Sequence, residues 1–281
     1  MNLTYKEYLS QLDFMLGWTE VLKKEIAELP FQENDIRADY FKTNYTNTYH
    51  YYIDYILFFK SELLKDNLVS FHEDFQGFKV HLYRLSEITI SEYLKQGHFN
   101  IINQRVFVMA WSLFELAIST FYTVVVDEDE LQKQYQETFD DVLKCVDIKE
   151  GKEDKLKKIL IKRSIHHIPI IRKYNYLFKA KQYSRNVEDD KEFLKFFGTL
   201  RNTVHSNFIY YGNNFLFKFL DSEFLFENGK EVRWRDPYET GVVPSTILYF
   251  KLIGHLNTIV KEIFMSNPHG SHIPYPDLNA L

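Results

Sequence analysis

Residues 106–126 read VFVMAWSLFELAISTFYTVVV, and Glu115 is the one charged residue in this stretch. A run of this length and apolarity predicts either the central helix of a helical core or a membrane-spanning helix. A carboxylate near the middle of a membrane span costs about 2.5–3.5 kcal/mol on insertion scales. Four hydroxyl side chains weaken the membrane interpretation further: Ser112, Ser119, Thr120 and Thr123. We therefore expect a buried helix and no membrane association.

The composition of the whole chain also favours helices. Its 281 residues are 17% aromatic, with 20 Tyr and 25 Phe, but include only 10 Gly and 7 Pro. Few turn-forming residues and many large side chains predict long helices rather than a many-stranded β fold. With 45% hydrophobic residues, the chain can bury enough apolar surface to exclude disorder as its main state. A single cysteine, Cys145, excludes an internal disulfide framework and favours a reducing, cytoplasmic location.

Apolar periodicity and helix-breaking residues place helices along most of the chain. They predict helices at residues 3–29, 36–65, 71–95, 99–126, 127–146, 152–164, 169–181, 191–207 and 244–265. Before the last of these, residues 215–234 hold short apolar runs separated by turn residues, including Asn228-Gly229. Asn-Gly between apolar runs is a strong hairpin signal. The predicted fold class is mainly α: a helical bundle with a small C-terminal β-hairpin or meander and a final helix.

Charge is unevenly distributed along the chain. Residues 149–185 carry a net charge of +9, whereas the rest carries −14. Tyr and Phe residues interleave the basic stretch, so it is either a track for a phosphate backbone with stacked bases or the solvated face of basic helices. The candidate nucleic-acid-binding residues of this track are Lys157, Lys158, Lys162, Arg163, Arg172 and Lys173.

The segment with the clearest chemical content is residues 196–207, FFGTLRNTVHSN. On a helix, Arg201 and His205 are four residues apart and lie one above the other, with Asn202 beside them. Arginine offers a fixed fork of donors to phosphate oxygens, and histidine transfers protons near neutral pH. Together they permit metal-free RNA cleavage, in which the ribose 2′-hydroxyl attacks the adjacent phosphate. We therefore predict catalytic roles for Arg201, His205 and Asn202, with no metal and no cofactor.

An Arg-Asn-x-x-His motif near the end of a helix resembles the HEPN superfamily. The resemblance rests on residues 200–205, LRNTVH, and is supported by Glu115 between an aromatic and an apolar residue on the earlier helix. It implies an α-helical, usually dimeric protein of a kind found as ribonucleases in toxin–antitoxin, abortive-infection and CRISPR systems. It further implies that Arg201 binds phosphate, that His205 acts as acid or base, that Asn202 positions them, and that Glu115 orients Arg201.

The domain and function predictions follow from this resemblance. Residues 98–281 would form the HEPN-like domain, and residues 1–97 a helical region that is either separate or packed into the same domain. We expect a metal-independent endoribonuclease, or an RNA-targeting toxin or defence factor, that forms a homodimer. Its partners would be RNA or nucleotide, and an antitoxin or another protein. Two alternatives stay open: a non-catalytic module that binds nucleotide, RNA or protein through the same residues, and a purely structural Arg–His pair.

Overall fold

A computed structural model describes residues 5–63, 98–145, 168–235 and 246–274. These residues form seven helices and five short strands. The helices are α1 (Tyr5–Ala27), α2 (Ile36–Leu63), α3 (His98–Val125), α4 (Glu128–Cys145), α5 (Ile170–Leu177), α6 (Val187–Val204) and α7 (Thr246–Ser266). The strands are β1 (Ile209–Tyr210), β2 (Phe215–Phe219), β3 (Ser222–Phe226), β4 (Lys230–Glu231) and β5 (Arg233–Arg235). The predicted fold class is confirmed, while the helices predicted at 71–95 and 152–164 lie outside the described residues.

The apolar stretch that opened the sequence analysis forms α3, which packs against α2, α5, α6 and α7. Its buried residues recur every three or four positions: Phe107, Ala110, Trp111, Phe114, Ala117, Ile118, Phe121 and Tyr122. By length and composition, Arg105–Val125 is also apolar enough to cross a membrane. The core helix of a soluble protein passes the same test, so this is only a weak indication of membrane association.

Helix boundaries follow local capping chemistry. The Asp127 carboxylate accepts the Glu130 N–H at 2.8 Å, and three acids in the first turn of α4 complement the positive end of the helix dipole. The Asn186 side chain accepts the N–H groups of Glu188 and Asp189 at 3.0 and 3.4 Å. This cap starts α6 at Val187, four residues before the predicted start at residue 191.

Aromatic rings fill the contact between α3 and α6. The Phe107 and Phe197 rings are stacked with centroids 4.1 Å apart, and Trp111 stacks on Phe197 at 5.6 Å. Gly198 lies against the same indole, since a Cβ at this position would be 2.9 Å from Trp111 Cζ2. The glycine therefore allows the helix that carries the Arg-Asn-x-x-His motif to approach α3 closely.

The strands form the predicted meander between α6 and α7. β2, β3 and β5 make an antiparallel sheet in that order, and β1 pairs separately with β4. Phe217 and Phe224 face each other in the β2–β3 register and are both buried. On the helix side, Phe196 of α6 stacks on Phe217 with centroids 4.0 Å apart. The sheet thus covers one face of α6 and extends the core beyond the helices.

The described part of the N-terminal region shares its core with the rest of the protein. α1 packs against α7, and α2 packs against α3. Ile36, Tyr40 and Phe41 of α2 belong to the same buried apolar cluster as α3, α6 and α7. At the start of α2, the Ile36 N–H donates to the Ile273 carbonyl at 2.8 Å. Residues 36–41 therefore share one buried core with α3, α6 and α7, while the domain organisation of residues 1–97 stays a prediction.

Candidate functional site

Arg201 lies in the last turn of α6, where a cation interacts favourably with the negative end of the helix dipole. Its side chain is half-buried, and its Nη1 donates to Asn202 Oδ1 at 3.1 Å. Its Nε is buried and has no hydrogen-bond partner. The guanidinium is therefore oriented by its neighbour but keeps donor capacity for a ligand.

His205 directly follows α6 and continues its helical path, with φ −72° and ψ −17°. It therefore lies one helical turn beyond Arg201, and its side chain is exposed. Its backbone N–H donates to the Asn202 carbonyl at 3.3 Å, which closes the end of the helix. The structure thus places Arg201, Asn202 and His205 at the same end of one helix.

The chain reverses immediately after this site. Asn207 has φ 53° and Phe208 has φ 63°, both in the left-handed region. The Phe208 N–H donates to the Thr203 carbonyl, five residues earlier, at 2.7 Å. This bond is typical of a helix that ends at a left-handed residue, which here is Asn207. The Val232 N–H donates to the Phe208 carbonyl at 2.9 Å. These bonds attach the strands to the end of α6 that carries His205.

Glu115 is not paired directly with Arg201 in the structure. No ion pair or hydrogen bond joins the two side chains, although the structure describes both. The charge of Glu115 acts instead on Lys173 of α5, whose Nζ donates to Ser119 Oγ at 2.9 Å. Burial lowers the pKa of the Lys173 ammonium, and the nearby Glu115 carboxylate partly opposes this effect. The cation near Glu115 is thus one of α5, and the role of Glu115 toward Arg201 stays a prediction.

The predicted basic track is only partly described. Lys157, Lys158, Lys162 and Arg163 lie outside the described residues. Arg172 Nη1 donates to Glu137 Oε2 at 3.2 Å and to the Gln134 carbonyl at 3.3 Å, which ties α5 to the acidic helix α4. Because Arg172 and Lys173 both bond within the protein, their role in nucleic-acid binding stays a prediction.

A second polar cluster surrounds Asp190 near the start of α6. The buried carboxylate accepts the Tyr183 hydroxyl at 2.5 Å, and the Arg185 Nε and Nη2 at 2.9 and 2.7 Å. His255 Nε2 of α7 lies 3.9 Å from Asp190 Oδ1. Burial and the Arg185 charge lower the pKa of His255, while Asp190 opposes this shift. Burial and the Asp190 carboxylate raise the pKa of Tyr183.

The Asp190 cluster anchors the α5–α6 loop rather than forming a second reactive site. Its carboxylate is fully engaged by a bidentate guanidinium and a hydroxyl, which leaves little capacity for a substrate. Beside it, Glu262 of α7 accepts both the N–H and the hydroxyl of Ser184 at 2.8 Å. The sequence analysis did not predict this cluster, because its members come from the α5–α6 loop, α6 and α7, and no local pattern joins them.

A cleft of about 280 Å³ lies between the start of α2 and the segment after α7. Phe31, Phe264 and Met265 line it, together with residues 268–272. On its polar side, Arg37 binds the Asp35 carboxylate at 2.7 Å and donates to the carbonyls of His269 and Ser271. Although burial alone would raise the pKa of Asp35, hydrogen bonds from Arg37 and Ile273 hold it below its usual value. The Asp35–Arg37 pair thereby fastens the C-terminal segment to α2.

The end of α6 is the described region best suited to phosphate chemistry. A guanidinium with unused donors and an exposed imidazole lie one turn apart there. Among the described residues, no group of three or more His, Cys, Asp or Glu side chains could hold a metal ion. No protein-family model, no curated protein and no solved structure matches the chain.

Proposed function

We propose that this protein is a HEPN-like, metal-independent endoribonuclease that binds and cleaves RNA at the end of α6. The observation that supports it best is the state of Arg201, whose Nη1 is held by Asn202 and whose Nη2, among the described residues, is neither bonded nor buried, one helical turn from the exposed His205. Donors that are held in place but unused suit a phosphate, because they need little rearrangement on binding.

The chemistry requires two proton transfers and one displacement. A base removes the proton of the ribose 2′-hydroxyl, and O2′ then forms a bond to phosphorus. The bond from phosphorus to O5′ breaks, and an acid delivers a proton to that oxygen. The products are a 2′,3′-cyclic phosphate and a 5′-hydroxyl end. Arg201 stabilises the negative charge that builds on the phosphate oxygens during the displacement.

A single α6 provides only one imidazole for these two transfers. A symmetric dimer with this helix end at its axis would place a second His205 opposite the first. His205 of one protomer would then act as base and that of its partner as acid. The homodimer is therefore part of the proposal, as are a reducing, cytoplasmic location and control by an antitoxin or another protein.

A second candidate function is non-catalytic binding of RNA or nucleotide through the same residues. It is favoured by the His205 ring, which has no hydrogen-bond partner among the described residues to fix its tautomer. In that case Arg201 would bind phosphate and His205 would add only affinity.

Incubation of purified protein with RNA in EDTA, followed by analysis for 2′,3′-cyclic phosphate ends, tests the proposal. We expect His205→Ala to slow cleavage by about 10²–10⁴-fold, the usual contribution of a positioned acid–base group. Arg201→Ala should slow it by about 10²–10³-fold, the usual cost of losing one group that stabilises transition-state charge. Lys195→Ala, at an exposed cation on α6, and His50→Ala, at an exposed histidine on α2, are matched controls that should retain activity.

The outcomes of this assay separate the candidates. Cleavage that persists in both Arg201→Ala and His205→Ala would refute the mechanism. A wild-type protein that cleaves no RNA, but binds it in a manner that depends on Arg201, would favour the binding module.

A further inference from the structure

We infer that the rings of Phe208 and Trp234 form a base-stacking shelf beside the proposed site, and that this shelf restricts the substrate to unpaired nucleotides of single-stranded RNA. This inference deepens the proposed function and rests on it for the position of the phosphate. Neither residue belongs to the Arg-Asn-x-x-His motif.

Phe208 is held in an unusual backbone conformation three residues after His205. Its φ of 63° lies in the left-handed region, which bulky side chains rarely adopt. The helix end needs only one left-handed residue, and Asn207 supplies it. The left-handed conformation of Phe208 is maintained by two further bonds. The Phe208 N–H donates to the Thr203 carbonyl, and the Val232 N–H donates to the Phe208 carbonyl. Strain that the surroundings enforce in this way is concentrated at functional sites.

Trp234 completes the shelf from β5. Its ring centroid is 5.9 Å from that of Phe208, with an interplanar angle of 54°. Both residues are half-buried rather than sealed in the core. Among the described residues, the Trp234 indole N–H has no hydrogen-bond partner, and it is not one of the buried unsatisfied groups. A polar donor thus remains accessible at the edge of an aromatic surface, as a site for a nucleobase requires.

Cations flank Trp234 in the sequence Arg233-Trp234-Arg235. Arg233 forms a short ion pair with Glu227 and is therefore already neutralised. Arg235 is exposed and has no ion-pair partner among the described residues. Glu223, opposite Arg235 in the β3–β5 register, bonds to Lys218 at 3.0 Å instead. Arg235 can therefore contact a phosphate next to the stacked nucleotide.

The shelf would discriminate between unpaired and paired RNA more than between different base sequences. Every base has a π face, so stacking on aromatic side chains tolerates any sequence. In a duplex, however, both faces of each base are covered by neighbouring bases, and only unpaired bases can stack on the protein. The substrate class that fits is therefore a loop, bulge or single strand.

Fluorescence anisotropy with labelled oligonucleotides tests the shelf without any cleavage step. The probes are a 2′-fluoro RNA strand, which lacks the attacking hydroxyl, an abasic strand of equal length, and the 2′-fluoro strand in a duplex. We expect wild-type protein to bind the base-bearing single strand on the order of tenfold more tightly than the abasic strand or the duplex.

Trp234→Leu should remove most of that tenfold preference and leave the affinity for the abasic strand unchanged. Trp234→Phe keeps a stacking ring and should restore part of the preference. Tyr49→Leu, at an exposed aromatic side chain on α2, is the matched control and should bind as wild type. Circular dichroism confirms that the variants are folded.

Equal affinity of wild type for the base-bearing and abasic strands, or no binding of either, would overturn the shelf. A Trp234→Leu protein that keeps the wild-type preference would also overturn it. Base-dependent binding without any RNA cleavage would refute the ribonuclease and retain the shelf. Cleavage of a single strand at the wild-type rate by Trp234→Leu would leave the ribonuclease intact and refute the shelf.

Discussion

Alanine should be clearly less favourable for stability at Gly198 than at Gly17, although both glycines lie inside helices. Gly17 belongs to α1, and a Cβ added there meets nothing within 4 Å. Glycine inside a helix destabilises it by about 0.5–1 kcal/mol relative to alanine. We therefore expect Gly17→Ala to raise the free energy of unfolding by about that amount.

At Gly198 the same change also creates a clash. The new Cβ would lie 2.9 Å from Trp111 Cζ2 and 3.0 Å from Cη2. The indole has little room to move, because it is only 5% exposed and packs against the rings of Phe197 and Phe114. Overpacking of this kind costs about 1–3 kcal/mol. Since the gain in helix propensity is common to both sites, Gly198→Ala should be less stable than Gly17→Ala by about 1–3 kcal/mol.

Urea unfolding followed by far-UV circular dichroism measures this difference. Both variants should unfold with the wild-type slope, so that the shift of the midpoint reports stability directly. Gly17→Ala should unfold at higher urea than wild type and Gly198→Ala at lower urea than Gly17→Ala. A Gly198→Ala protein as stable as Gly17→Ala would refute the close approach of α3 and α6.

Two further predictions concern the cluster around Asp190. Asp190→Ala should lower the free energy of unfolding by about 1–3 kcal/mol in urea, because it removes the buried acceptor of the Tyr183 and Arg185 hydrogen bonds. The exposed neighbour Asp189, changed to Ala, should lose less than about 1 kcal/mol, and equal losses would contradict the prediction. Because the pKa of His255 is lowered by burial and by Arg185, stability should decline as pH falls below about 6.5 toward the folded pKa. His255→Gln should flatten this decline, and an unchanged pH profile would show that another group causes it.

Much of the fold could be predicted because its signals are local. The period of apolar residues in 106–126 determines which face of α3 is buried, and the Asn228-Gly229 pair falls in the turn that follows β3. The start of α6 was placed too late for an equally local reason. The apolar pattern begins near Phe193, but the helix begins at its Asn186 cap.

In the candidate site, too, local geometry could be predicted from the sequence and helix packing could not. Arg201, Asn202 and His205 lie together because a helix brings residues three and four apart to one side, whatever surrounds it. Glu115 belongs to another helix, and its position relative to Arg201 depends on how α3 and α6 pack. No local pattern specifies that packing, and the structure places the Glu115 charge beside Lys173 instead.

The sequence by itself therefore determined a mainly helical chain with a small meander and one helix end that carries an oriented cation and an imidazole. These properties follow from the 3.6-residue period, from capping and from turn chemistry, all of which act over a few residues. Only the tertiary structure joined Asp190 to His255, fastened the C-terminal segment to the Asp35–Arg37 pair, and set Trp234 beside Phe208. Such contacts link residues 26 to 238 positions apart in the sequence. They arise because the packing of apolar helix faces also buries polar side chains. A buried polar group needs a hydrogen-bond partner, which is often distant in the sequence.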